Sequence, residues 1–275
     1  MKVVCMILLS FMLTSCANVS AGEFTRFSSD EIADMLSDVP PYLLDFLGLD
    51  KATVTNNPLG APLFFPDDER AWDFALAAAV PGHEIYLYWV EDISVVYING
   101  QVLRFDNWAP LFGGRIVYPQ MLYHDLNGDS GKELAIIIPS GSGTGLSLNN
   151  LHVLSFDESE NYRHHHLRGW DVNDWFDIPL EFETIEGESA FRFNIFGESF
   201  VIDIFNDEFS TPLQGIGVGN IVNFWFDGTD IIVYIAVEKH YEGWTPVFFG
   251  GLQGKVMFDG EDFWIEWCKF QDYVL

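Results

Sequence analysis

Val95-Val96-Tyr97-Ile98-Asn99-Gly100-Gln101-Val102-Leu103-Arg104-Phe105 decides the fold class. Two runs of β-branched and aromatic residues flank Asn99-Gly100, the dipeptide that best tolerates the positive φ angles of a two-residue hairpin turn. Upstream, Glu84 to Val90 is dense in β-formers. Downstream, Met121–His124, Leu134–Ile138, Leu151–Phe156 and Phe191–Ile204, the last broken near Gly197, read as strands. Ile221–Phe226, Ile231–Glu238, Val247–Phe258 and Phe263–Phe270 continue the series, with turns at Asp227-Gly228 and Asp259-Gly260. The expected fold is therefore mainly β, with antiparallel sheets in a sandwich-like or partial propeller-like arrangement. No exact internal repeat supports a full propeller.

A few short helices are expected before the strands. Ser28 and Glu31 stand at capping-box spacing ahead of the apolar stripe Ile32, Met35 and Leu36. Pro40-Pro41 stops that helix, and Tyr42–Leu49 reads as a second. A third, capped by Asp67 or Asp68, is expected through Arg70 to Val80, because alanine favours helix. The expected organisation is a leader over residues 1–15, a tether over 16–27, a helical segment over 28–82 and a β-rich region over 83–275. The polar, irregular stretch 157–177 is a candidate boundary between two subdomains.

The chain has 275 residues, 13 Lys and Arg against 41 Asp and Glu, and 49% hydrophobic content. The apolar fraction argues against disorder and supplies a sizeable core. The acidic surface repels nucleic acid and anionic headgroups, so nucleic acid is not an expected partner. Of the three cysteines, Cys5 and Cys16 fall in or next to the leader. Cys268 stands alone without a Cys–His signature and reads as structural.

Asp125-Leu126-Asn127-Gly128-Asp129-Ser130-Gly131-Lys132-Glu133 is the best chemical motif. Oxygen side chains fall at positions 1, 3, 5 and 9, and Gly131 offers a backbone carbonyl at position 7. Calcium takes six to eight hard oxygens, which alternating acids around a glycine turn supply. Gly128 permits the reversal that turns them inward. Position 12 is Ile136, so this is not an EF-hand. An acidic turn without an ion is the competing reading. The loop resembles the calcium loops of FG-GAP and VCBS-type repeats, which lead into a strand as this one leads into Leu134–Ile138. Asn127 departs from that pattern, where Asp is commoner. The resemblance implies a calcium site at Asp125, Asn127, Asp129, Gly131 and Glu133.

Leu13-Thr14-Ser15-Cys16, after Lys2 and the apolar run Val3–Met12, resembles the lipobox of bacterial lipoprotein precursors. The apolar run is too short to span a bilayer as a helix. The resemblance implies diacylation of Cys16, release of residues 1–15 and a lipid anchor facing the outside of a bacterial cell membrane. Leu122–Leu154 and the Gly251–Phe270 hairpin are similar to segments of extracytoplasmic lipoproteins of Gram-positive bacteria with a VCBS-like centre.

Other motifs are weaker. Gly141–Gly145 lacks the ending of a phosphate loop and reads as a turn. His164-His165-His166 invites a transition-metal reading, but adjacent strand residues alternate faces, so a solvated loop is expected. His124 and His152 read as packed strand residues. Trp170, Asp171, Asp174, Trp175 and Asp177 combine aromatic faces with carboxylates, the ingredients of sugar binding or glycoside hydrolysis. The expectation is a non-catalytic binding or envelope-interaction module, anchored by lipid and stabilised by one calcium ion, with surface glycan or another envelope protein as partner. The alternative is a glycan-acting hydrolase or carbohydrate-binding protein of the cell surface.

Overall fold

The computed structural model describes residues 27–37, 39–63, 74–90, 93–106, 108, 117–143, 145–159, 161–169, 171, 181–184, 190–195, 198–203 and 213–272. The leader, Cys16, Asp67 and Asp68 lie outside them. Among the described residues the protein is mainly β. Two compact units divide it: Met1–Phe112 with Ile116–Met121, and Gly113–Arg115 with Leu122–Leu275. Residues 157–177 lie within the second.

The first unit opens with helices α1 (Ser29–Ser37), α2 (Pro41–Leu47) and α3 (Lys51–Thr55). The capping box at α1 forms: the Glu31 carboxylate accepts the Ser28 N–H and hydroxyl at 2.7 Å each, and the Glu31 N–H donates to Ser28 Oγ at 3.2 Å. Ile32 and Leu36 are buried on one face. Pro41 occupies the first turn of α2, where its missing N–H costs nothing, and Gly48 ends it at φ 65°. After α3, buried Asn57 donates to the carbonyls of Val54 and Ala61 and accepts from Tyr88 Oη at 3.1 Å, tying the helical segment to the sheet.

That sheet is the antiparallel meander β1 (Phe74–Ala79), β2 (Tyr86–Val90), β3 (Ile93–Ile98) and β4 (Gln101–Phe105). The hairpin turn has φ 51° at Asn99 and 77° at Gly100, as its sequence requires. The expected helix over Arg70–Val80 and the wholly helical segment 28–82 need correction, because Phe74–Ala79 is a strand. All six of its residues are buried, paired with β2 on one edge. On its other edge the Leu76 N–H donates to the Pro62 carbonyl at 2.8 Å. Alanine's helix preference is a few tenths of a kcal/mol per residue and yields to burial on both faces plus a satisfied ladder.

The larger sheet has eight strands: β5 (Gln120–His124), β6 (Glu133–Gly143), β7 (Leu146–Phe156), β8 (Tyr162–Leu167), β12 (Leu213–Asp227), β13 (Asp230–Tyr241), β14 (Val247–Phe258) and β15 (Phe263–Asp272), all but the first two residues of β5 in the second unit. They run in the order β15-β14-β13-β12-β7-β6-β5, with β8 also on β7, in a sheet curled into a half-barrel. Strands β9 (Glu181–Thr184), β10 (Ala190–Ile195) and β11 (Glu198–Asp203) form a separate meander. β6, β7 and β8 pair antiparallel, as do β12 to β15, whereas Ser147 and Leu148 of β7 meet Ile221 and Val222 of β12 in parallel. Beyond Leu148 the same edge of β7 passes to β8. Ala135, Ile137, Leu151, Val153, Phe224 and Val233 sit in the core of the curl. Leu134, Ile136 and Ile138, on the other face of β6, are buried too, which is why that strand reads as an unbroken apolar run.

The His164–His166 segment corrects the solvated-loop reading: it lies in β8. The edge of β7 that β12 leaves vacant gives its backbone a hydrogen-bonding partner, and only the tertiary pairing reveals this.

Candidate functional site

The acidic loop joins β5 to β6. Asp125 follows the last residue of β5 and Glu133 is the first of β6, so two strands of the sheet hold its ends. Gly128 and Ser130 adopt φ 79° and 75°, and this double reversal folds the loop back over its own amides. Asp125 accepts the Gly128 N–H at 2.7 Å through one carboxylate oxygen and the Ser130 N–H at 3.0 Å through the other. Asn127 Oδ1 accepts the Asp129 N–H at 2.9 Å, and its amide donates to Asp129 Oδ2 at 3.0 Å. Asp129 Oδ1 accepts the Gly131 N–H at 2.7 Å. A Cβ at Gly131 would come within 2.8 Å of that oxygen, so the position suits glycine.

Glu133 differs from the other acids. It is 3% exposed, and its Oε2 reaches back to accept the Leu126 N–H at 2.7 Å. Burial raises its pKa, the Leu126 bond opposes this, and the charges of Asp129 and Asp125 raise it further. The charges of Asp129 and Asp125 thus act on buried Glu133 within a loop of nine residues. Their oxygens are the hard donors that calcium prefers. Each of the three now accepts backbone N–H groups. Among the described residues, no three His, Cys, Asp or Glu side chains are arranged to hold a metal ion. Those N–H bonds leave each carboxylate further lone pairs, so a shared cation would require the side chains to converge, not to give up the amides. A cleft of about 150 Å³ adjoins the loop, lined by His124, Asp125 and the Asp230–Lys255 ion pair, whose N···O distance is 2.9 Å. It is smaller than the ~300–1,000 Å³ of ordinary small-molecule sites.

Of the aromatic and acidic residues read as sugar-binding or hydrolytic, Trp170, Asp174, Trp175 and Asp177 lie outside the described residues. Asp171 forms a two-pronged pair with Arg168, at 2.8 and 2.7 Å. The Arg168 hydrogen bond lowers its pKa, opposite to what a general acid needs.

Two constellations went unread in the sequence. His152 of β7 faces His166 of β8 in register, and its Nδ1 stands 3.0 Å from His164 Nε2. The His152 and His166 rings stack with centroids 4.3 Å apart. Burial, then the neighbouring imidazoles, holds His152 well below the ordinary histidine range. Partial burial, with its neighbours, lowers His164 to about 4, although that ring keeps an exposed side. Alternation along β8 sends His165 to the other face, against Phe258 at 4.9 Å. The second constellation is Glu238, buried on β13 with its Oε1 3.3 Å from His240 Nε2. It lies over glycines of β12: a Cβ at Gly219 would meet Phe248 at 2.6 Å and Glu238 at 2.8 Å, and one at Gly217 would meet His240 at 2.8 Å. The alternating glycines of Gly215-Ile216-Gly217-Val218-Gly219 were the available signal.

Among the described residues no helix is long and apolar enough to cross a membrane. Set against protein-family models, curated proteins and solved structures, the chain matches none of them.

Proposed function

We propose that this protein is a lipid-anchored extracytoplasmic lipoprotein whose second unit is a non-catalytic binding module stabilised by one calcium ion at Asp125, Asn127, Asp129, Gly131 and Glu133. One observation carries the calcium reading: buried Glu133, its pKa raised by desolvation and by Asp129 and Asp125, closes a loop of oxygen donors between two strands. A shared divalent cation removes that mutual repulsion and joins the end of β5 to the start of β6. The lipobox-like Leu13–Cys16 supports the anchor, and the net charge of −28 directs the choice of partner toward neutral or cationic groups on a glycan or envelope protein.

Calcium's role in this reading is structural. Binding to the folded state alone, at 100 times its dissociation constant, adds ~2.7 kcal/mol of stability. Thermal unfolding of the full chain in detergent, with chelator, millimolar calcium or millimolar magnesium, tests it. A rise with calcium that magnesium does not reproduce is the expected result. Identical transitions in all three conditions would remove calcium from the proposal.

A further inference from the structure

We propose that β8 is an acid-released latch: His152, His164 and His166 hold it on β7 while their rings are neutral, and their protonation frees it while the rest of the sheet stays paired. Strand geometry assembles the set. His164 and His166 stand two apart on β8 and so share a face, and His152 enters that face from β7 opposite His166. His152 is 2% exposed and stacks on His166, with ring centroids 4.3 Å apart and 14° between the planes. Its Nδ1 stands 3.0 Å from His164 Nε2, a contact in which one nitrogen donates a proton to the lone pair of the other.

This arrangement suits neutral rings. A first proton leaves the bond intact when it is taken up at the outer nitrogen of the donor ring, but it charges a stack that contains a buried imidazole. A second proton occupies the lone pair that accepted the bond, and two N–H groups then face each other across 3.0 Å. On the same face, β6 presents apolar Ile136 opposite His152, with Leu134 and Ile138 beside it. Past the end of β8, Arg168 opposes a charge on His166, and Asp171, paired with Arg168, favours one. The other face of β8 carries Arg163, across from Ser155, and His165, which meets Phe258 and has its Nδ1 3.3 Å from the Glu261 carbonyl, near Asp259.

β8 is the element placed to yield. Of its six residues only Leu167 is buried, and among the described residues β7 is its one strand partner. β7 keeps its pairing with β6 from Leu146 to Leu154 when β8 leaves. Segments that bury little apolar surface open at the lowest cost. Burial, then the neighbouring imidazoles, holds His152 well below the ordinary histidine range, so the latched form binds fewer protons than the released one. The latch is therefore fully set above ~6.5 and weakens as pH falls. One histidine that stays neutral when latched and titrates at ~6.5 when free makes release ~20-fold more favourable at pH 5 than at pH 7. His164, lowered to about 4 but with an exposed side that water screens, adds a smaller factor in the same direction.

Hydrogen–deuterium exchange of the full chain in detergent, read by mass spectrometry at pH 7 and pH 5 and corrected for the intrinsic pH dependence of exchange, tests the latch. Amides of Tyr162–Leu167 should lose protection ~20-fold or more at pH 5, while those of β13 and β14 keep theirs. His152→Gln, whose side chain does not titrate, should remove most of the pH dependence of β8, and His165→Gln should retain it. Equal protection of β8 at the two pH values, a loss shared equally by β13 and β14, or an unchanged loss in His152→Gln overturns the latch. If His152→Gln lacks the far-ultraviolet circular dichroism of a folded chain, the wild-type profile decides: a loss confined to β8 and its pairing with β7 upholds the latch, and a uniform or absent loss overturns it.

Discussion

Replacing Asp125 with alanine separates the two roles the acidic loop can play. In the structure Asp125 accepts two backbone N–H groups, from Gly128 and Ser130. Hydrogen bonds to charged groups contribute about 1.5–3 kcal/mol each. Gly128 and Ser130 are exposed, so water replaces much of what they lose. The turn role alone is therefore discounted to about 2 kcal/mol for the pair, below the ~3–6 kcal/mol that two such bonds would give away from water. A calcium ion held partly by Asp125, at 100 times its dissociation constant, adds ~2.7 kcal/mol, which the variant also forfeits. In a unit of this size 1 kcal/mol moves the melting temperature by ~2–4 °C. Circular dichroism melts should then show Asp125→Ala below wild type by roughly 4–8 °C in chelator and roughly 9–19 °C in calcium. Equal drops in the two buffers would refute the calcium role and leave an acidic turn. No drop in either would refute the turn as well.

Three further outcomes follow from particular contacts. A Cβ at Gly251 falls inside the ring of Tyr234, so Gly251→Ala should overpack the sheet by ~1–3 kcal/mol, lowering the melting temperature by roughly 2–12 °C. Cys16→Ser should abolish lipid attachment, moving the protein from the membrane to the soluble fraction and removing the acyl mass from its N-terminal peptide; unchanged membrane attachment would refute the lipobox reading. His152 and His164 have folded pKa values below the unfolded 6.5, so the folded state binds fewer protons; their contribution is full above ~6.5 and falls as pH drops, for His164 down to about 4. In chelator, wild type should lose more stability between pH 7 and 5 than His164→Gln does, as read from urea midpoints; equal losses would refute the assignment.

Local signals in the sequence carried over into structure wherever the chain resolves them within a few residues. The Asn99-Gly100 turn and the Ser28–Glu31 box satisfy their own backbone groups, and the apolar run after the acidic loop is legible from composition alone although its backbone pairs with β7. Phe74–Ala79 was misread because its alanines favour helix locally, while burial between β2 and the segment ending at Leu63 outweighs that preference. Tyr162–Leu167 was misread because its polarity hides a strand whose partner is the second half of β7. The histidine cluster depends on the register His152↔His166, a relation between strands that alternation within one strand cannot supply. Glu238 was hidden for a similar reason, since the space it occupies is made by glycines on the neighbouring strand. In the acidic loop, the spacing of oxygens was legible, but the depth of Glu133 was not.

Calcium titration of the full chain by calorimetry, in detergent and in parallel with magnesium, tests the central claim most directly. A single calcium site of submillimolar affinity, absent with magnesium and lost in the Asp125→Ala, Asp129→Ala double variant, is the predicted result. Heats of dilution alone in the wild type, or an isotherm that the double variant reproduces, would contradict calcium binding at this loop.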